Sequence, residues 1–346
     1  MVASNPDWFF GYAWLTVGLF SGIVSLLASF WVTMLARKSG MIVQPGERQS
    51  HTIATPTGGG LGILLSLLLT TLCLQPLVPL PGFWWQGMLP GIVLLAIVGW
   101  RDDRQTVSSF LRLLIQLAVS LWLLGFTTLQ FLSVEIGWLV AGVVAMVWYM
   151  NMYNFMDGSD GMAAFQGIFA GVMMAVLFHN DERNAMALLA LAVAAACMGF
   201  LPLNLPTARV FMGDVSSVPL GFIFAALSVY AVKAGTFGLP VAILIMALFI
   251  IDATMTLLAR VIRREQWYTA HAQHVYQRLI VHGWSHRRVL VVYQAINVAV
   301  VLPAIVLIQK YPQNAMLKSG STILLLGMCW YFANRRLGML DKVQKK

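Results

Sequence analysis

Charge is scarce in this chain. Of its 346 residues, 10% are Asp, Glu, Lys or Arg, while 59% are hydrophobic. Mean hydropathy is +0.79. This excludes an ordinary soluble domain and fits an integral membrane bundle. Cysteine is scarce too. Cys73, Cys197 and Cys329 each lie in an apolar run with no metal-ligand neighbour. An odd, scattered set argues against a disulfide framework or a zinc site. All three are expected as small buried hydrophobes. There is no internal repeat, low-complexity stretch or soluble domain. No nucleic-acid signature accompanies the net charge of +9, so nucleic acid is not an expected partner. Basic loops on one membrane face account for the excess. No basic segment precedes the first apolar stretch, Trp8 to Leu35, and that stretch is too long for a cleaved signal. It reads as a first membrane helix.

A membrane helix needs about 20 apolar residues. On that measure the chain is an all-α polytopic membrane protein with about eleven transmembrane helices. They fall near 9–35, 59–79, 86–100, 112–131, 134–150, 162–178, 185–203, 217–233, 238–259, 289–309 and 319–334. With the N-terminus outside and the C-terminus cytoplasmic, 18 of the 22 basic residues face the cytoplasm. Five of the six histidines do so as well. The whole of 1–346 reads as one membrane domain. Its chemistry is expected in the cytoplasmic loops 36–58, 101–111, 151–161, 204–216 and 260–288, because the outer loops are short.

Against this apolar background five acids stand out: Asp102, Asp103, Asp157, Asp160 and Asp214. They occupy three polar breaks on the same predicted face. A carboxylate at a bilayer edge is costly unless it meets water, a partner or a metal. The pattern suggests a metal-dependent enzyme acting on phosphates. Asp102 and Asp103 repel one another unless a cation is near, and Arg101 and Arg104 could supply it. They read as a magnesium or general-base pair, or as a solvated loop pair. The segment Asn151 to Gly161 offers Asn151, Asn154, Asp157 and Asp160 as hard oxygen donors, with two glycines for tight turns. The next break holds Asn204, Arg209 and Asp214. Asp214 could cap the following helix or border a phosphate at its N-terminus.

The loop from Arg260 to Arg288 is the most basic, with Arg260, Arg264, His271 and His274 among its charges. Two histidines three apart are a weak zinc signal. On a helical turn they would share a face, and with the arginines they suit a pyrophosphate. Arg48, His51 and the run Gly58-Gly-Gly60 lie in the first cytoplasmic loop. The glycines suit either a phosphate cradle or close helix packing. Asp252 lies inside an apolar span, as a functional acid or as the partner of an arginine.

These blocks, in this order, resemble the polyprenyl-phosphate N-acetylhexosamine-1-phosphate transferases, glycosyltransferase family 4 of the membrane sugar-phosphate transferases. The likeness runs through Pro56-Thr-Gly-Gly-Gly60, Asp102-Asp103, Asn154-Phe-Met-Asp-Gly-Ser-Asp-Gly161, Val210-Phe-Met-Gly-Asp214 and the His271-Ala-Gln-His274 loop with Gly283-Trp284.

The resemblance implies transfer of an N-acetylated amino-sugar 1-phosphate from a UDP-sugar to undecaprenyl phosphate, with release of UMP. It implies Mg2+ as cofactor, with Mn2+ as a substitute. Asp214 would be the main metal ligand and Asp102 and Asp103 catalytic acids near metal or lipid phosphate. Asp157 joins this catalytic set. Asn154, Asp157 and Asn204 would surround metal and nucleotide, and His271 and His274 would face the pyrophosphate. Asn151, Asp160, Arg209, Arg260, Arg264, Arg48 and His51 complete the expected substrate contacts. The implied setting is the bacterial inner membrane with a cytoplasmic active site, and a homodimer is an admissible assembly. The first loop lacks the lysine that peptidoglycan-precursor transferases carry, and the histidine loop lacks their histidine triplet. The branch resembled is the one that initiates O-antigen or a related surface glycan. The alternatives are the peptidoglycan-precursor transferase and a secondary transporter, though a transporter would place its charges near mid-membrane.

Overall fold

A computed structural model describes residues 7–44, 54–129, 136–266 and 272–344. Apart from a two-stranded antiparallel ladder, β1 (Ile42–Val43) and β2 (Thr55–Pro56), its regular elements are helices. α1 (Asp7–Lys38), α2 (Leu61–Leu74) and α3 (Leu89–Asp102) come first, α3 entered through a π-helical turn at Phe83–Met88. α4 (Ser109–Leu129), α5 (Ile136–Phe155), α6 (Met162–Asn180), α7 (Asn184–Asn204) and α8 (Asp214–Ala234) follow. α9 (Leu239–Ile245) and α10 (Ala247–Ile262) form a pair bent by 80°. α11 (Val275–Val281) is short, α12 (His286–Ile296) continues through a π-helical turn into α13 (Leu302–Lys310), and α14 (Ala315–Gln344) ends the described chain.

Among the described residues, eight helices are long and apolar enough to cross a membrane, or nine if the bent pair counts as one span. Eleven were expected, and each expected segment holds helix among the described residues. The difference has physical causes. α2 has 14 residues, which is about 21 Å at 1.5 Å per residue, against a hydrocarbon core of about 30 Å. The apolar part of α14 is bounded by Lys318 and Arg335. The segment expected as one straight span at 238–259 breaks at Met246. There Gln166 Nε2 donates to Ile245 O at 2.8 Å. That bond serves a carbonyl the break leaves without its helical partner.

The centre of the bundle is α6, α7 and α8, whose apolar side chains are largely buried all round. α1 is fastened to α7 by Ser21 Oγ and Ser25 Oγ, which donate to Ala192 O and Ala196 O at 2.8 and 2.6 Å. Small polar residues allow this close approach and supply bonds where lipid offers none. Cys197 is buried as expected, but Cys73 and Cys329 are exposed on the outer surface of the helices. An apolar run does not distinguish a core face from a face turned to lipid, because both are apolar.

Candidate active site

The three acidic breaks meet at one end of the bundle. α3 delivers Asp102 and Asp103, the end of α5 delivers Asn154, and α8 begins with Asp214. Asp103 Oδ1 and Oδ2 accept the N–H groups of Asp214 and Val215 at 3.0 and 3.2 Å. A carboxylate from another helix thus serves the free donors at the start of α8. Gly213, with φ of +80°, makes the turn, and a Cβ there would lie 2.5 Å from Asp103 Oδ2. The position therefore requires glycine for backbone and space alike.

Arg112, on the first turn of α4, joins the breaks. Its Nη1 lies 2.6 Å from Asp102 Oδ2 and 3.1 Å from Asp214 Oδ2. Asp102 Oδ1 also accepts from the Val107 N–H at 2.6 Å. Arg101 and Arg104 were the expected cations for the acid pair. Arg104 instead lies over the Trp100 ring, 4.7 Å from its centroid, with Nε directed at Met41 Sδ. Arg112 fills the role because α4 turns back along α3 and brings its first turn over the acids. Asn154 Nδ2 donates to Asp214 Oδ1 at 2.7 Å and to Ser217 Oγ at 2.9 Å. One turn earlier Asn151 pairs with Gln116 of α4 at 2.7 Å.

Burial and the neighbouring Asp214 carboxylate push the Asp103 carboxyl up to about 7, against two backbone N–H bonds that lower it. Asp157 is held well above the ordinary carboxylate range, first by burial and then by the Asp214 and Asp103 carboxylates. Crowded acids with raised pKa values are a functional-site signature. Among the described residues, no three His, Cys, Asp or Glu side chains converge on one point. The oxygen donors nonetheless suit a hard cation, and the Arg112 guanidinium already stands in a cation's place between Asp102 and Asp214. Magnesium commonly takes one or two carboxylates and completes its shell with substrate phosphates and water. A cavity of about 360 Å3 adjoins this group, lined by Ser39 to Val43, Thr57 and Asp103 to Gln105.

Other expected site residues stand differently. Asp160 Oδ2 accepts the Ala208 N–H at 3.1 Å, and its own N–H donates to His286 Nδ1 at 3.2 Å. Asn204 is buried, with Oδ1 accepting the Gly161 N–H at 3.0 Å and Nδ2 donating to Val210 O at 2.9 Å. Both residues therefore tie the second break to the third through backbone groups. Arg209 and Arg264 are exposed. Arg260 is buried, pairs with Glu265 at 3.1 Å and donates to Gln266 O. Arg48, His51 and His271 lie outside the described residues. The glycine run is a packing device. Gly59 and Gly60 donate to Phe211 O and Met212 O, both at 3.0 Å, and a Cβ on Gly60 would lie 1.8 Å from Ser216 Oγ.

His274 is buried and precedes α11 as its N-cap, so it does not sit on a helical turn. Its ring stacks against Phe155 and Tyr276, with centroids 6.2 and 5.8 Å away. Tyr276 donates its hydroxyl to Phe155 O at 2.9 Å, which seats the histidine loop on the second acidic break. Asp252 pairs with His274, 3.8 Å away, where an arginine was the expected structural partner. Its carboxylate also accepts from Tyr293, Trp330 and the Val275 N–H, at 2.6, 3.0 and 2.9 Å. Three contributors were missed from the sequence. Arg112 and Gln116, four apart on a helix with no other charged or amide side chain, carried a readable signal. His286 carried none beyond membership of a basic loop.

Glycosyl transferase family 4 matches residues 85–232, a range containing all five acids. The chain is 28% identical over 306 residues to a probable undecaprenyl-phosphate N-acetylglucosaminyl 1-phosphate transferase of Bacillus subtilis, covering 82% of this chain and 83% of that one. It is also 28% identical to a decaprenyl-phosphate N-acetylglucosaminephosphotransferase of Mycolicibacterium smegmatis, covering 80% and 78%. A phospho-N-acetylmuramoyl-pentapeptide-transferase of Picosynechococcus is 29% identical, with 85% and 86% covered.

Proposed function

We propose that this chain, whose residues 85–232 match glycosyl transferase family 4, transfers an N-acetylhexosamine 1-phosphate from a UDP-sugar to undecaprenyl phosphate. An oxygen of the lipid phosphate attacks the phosphorus that carries the sugar. The bond from that phosphorus to the oxygen of UMP breaks, UMP leaves, and a lipid-pyrophosphate sugar forms. The reading places the site at the cytoplasmic face of a bacterial inner membrane, starting O-antigen or a related surface glycan. The carrying observation is the bridge from Arg112 to both Asp102 and Asp214 at the end of an apolar bundle. The relatives' names support a polyprenyl phosphate as acceptor and make UDP-N-acetylglucosamine the first donor to test.

Attack of one phosphate on another brings anions together, so positive charge must gather there. Asp214 and Asp102, with Asp103 beside them, would hold magnesium, which when bound would offset phosphate charge and ease the departure of UMP. Arg112 pairs with the two carboxylates in the resting site, and its guanidinium suits a phosphate once they are otherwise engaged. Asn154 orients Asp214, while Asp103 fixes the start of α8 beneath it. No strong base is needed, because a phosphate monoester has a second pKa of about 6.

The test is a purified-protein assay with undecaprenyl phosphate and a panel of UDP-N-acetyl sugars, read as UMP release and lipid product mass. Product with UDP-N-acetylglucosamine or a near relative is expected. Turnover only with the UDP-linked muramoyl pentapeptide would favour the second reading, which the Picosynechococcus relative's name supports. Absence of both UMP release and any lipid-pyrophosphate product would overturn both.

A further inference from the structure

A second cavity, of about 700 Å3, lies between α10, α12 and α14. Its volume falls in the range of about 300–1,000 Å3 typical of ligand sites. Trp330 and Tyr293 stand in its wall, with the Trp330 Nε1 and the Tyr293 hydroxyl both spent on Asp252. Their rings are thus left to the cavity as apolar surface. Apart from Tyr293 and Cys329, the charged or titratable residues lining it are Asp252, His282, Arg288 and Arg336. The two arginines are exposed, and no carboxylate pairs with either among the described residues. Arg288 is held in place by the Trp284 ring, with the guanidinium carbon 3.9 Å from its centroid.

We propose that this cavity takes one anionic phospholipid of the surrounding bilayer, an acyl chain inside and the phosphate at Arg288 and Arg336. Unpaired guanidinium groups beside an apolar cleft between membrane helices fit a lipid phosphate and its tail together. The Asp252 carboxylate, deeper in the wall, keeps the phosphate out of the interior. The occupant would also stiffen the group around Asp252, because Trp330 and Tyr293 touch both. Asp252 in turn holds the Val275 N–H, the first residue of α11 after His274. A bilayer lipid would thereby help order the start of the histidine loop.

The experiment uses the full chain in detergent, offered dioleoyl phosphatidylglycerol, dioleoyl phosphatidylcholine or undecaprenyl phosphate, with retained lipid counted by native mass spectrometry. We expect one retained phosphatidylglycerol, at least tenfold less phosphatidylcholine, and at least tenfold less phosphatidylglycerol on an Arg288→Gln/Arg336→Gln variant. Arg336→Gln alone should lose several-fold, and it serves if the double variant is poorly produced. Equal retention by wild type and variants overturns the proposal, as does equal retention of phosphatidylcholine. So does one-for-one displacement by undecaprenyl phosphate, or a dimer that shuts the lipid out. None of these readings uses turnover, so the proposal and the transferase reading can fail separately.

Discussion

Replacing Arg112 by methionine tests the arrangement of the acids most directly. The side chain keeps much of its length but loses the charge shared by Asp102 and Asp214, which lie 2.6 and 3.1 Å from it. Unit charges about 4 Å apart interact by about 4 kcal/mol at an effective dielectric constant near 20. Arg112 is 35% exposed on its side chain, and solvent screening reduces the net figure to ~1–2 kcal/mol. Two consequences follow with opposite signs. The metal-free protein should lose that stability, because two neighbouring carboxylates are left without their cation. Magnesium or manganese should bind more tightly without substrate, since it no longer competes with a guanidinium. The same ~1–2 kcal/mol corresponds to a factor of about 5–30 in the dissociation constant. Turnover should nevertheless fall by at least about a hundredfold, as expected when a preorganised group facing transition-state charge is lost. Titration calorimetry of the metal-free variant, beside UMP release, reads both effects. Unchanged metal affinity together with unchanged turnover would refute the assigned role of Arg112.

Asp214→Asn should abolish turnover while the protein still inserts and folds, and EDTA should stop the wild type until magnesium is restored; near wild-type rates in either case would remove Asp214 from the metal site. The Asp103 carboxyl, raised from 3.8 to about 7, gives a pH prediction for the chelated protein. Its proton is held more tightly in the folded state, so its stabilising contribution is full below pH 4 and disappears as pH rises through about 7. Each pH unit in that window contributes at most about 1.4 kcal/mol. The thermal midpoint in EDTA should therefore drop from pH 5 to pH 8, and Asp103→Asn should flatten the drop. His274→Ala should lower turnover strongly without changing metal content, whereas bound zinc lost with the histidine would sink that view. Reporter fusions after Lys38, Arg183 and Lys346 should read inside, outside and inside, and any other pattern would contradict the assigned orientation.

The sequence alone determined that this is an all-α chain of membrane-spanning helices, and it marked the polar breaks that the fold brings together. Apolar runs marked the long helices, because desolvating a backbone in lipid demands helix and apolar cover. Acids in three breaks between such runs stood out because nothing apolar explains them. Their meeting at the start of α8 follows from the order of the helices. Which group pairs with which was decided only by the tertiary structure. Arg112 and Asp214 lie 102 residues apart, and no local pattern relates them. The closer Arg101 and Arg104 were plausible partners by sequence, but a side chain's direction depends on how its helix is rotated in the bundle. For the same reason Asp252 meets His274, two aromatic side chains and a backbone N–H in place of an arginine. The bend at Met246 was hidden because hydropathy continues unbroken through it. Likewise, Gly58 to Gly60 fit a phosphate cradle and a packing contact equally well until Phe211 and Met212 supplied the acceptors. Hydropathy is a property of each residue and its near neighbours. Hydrogen bonds and ion pairs are properties of distance in space, and those distances exist only once the helices have packed.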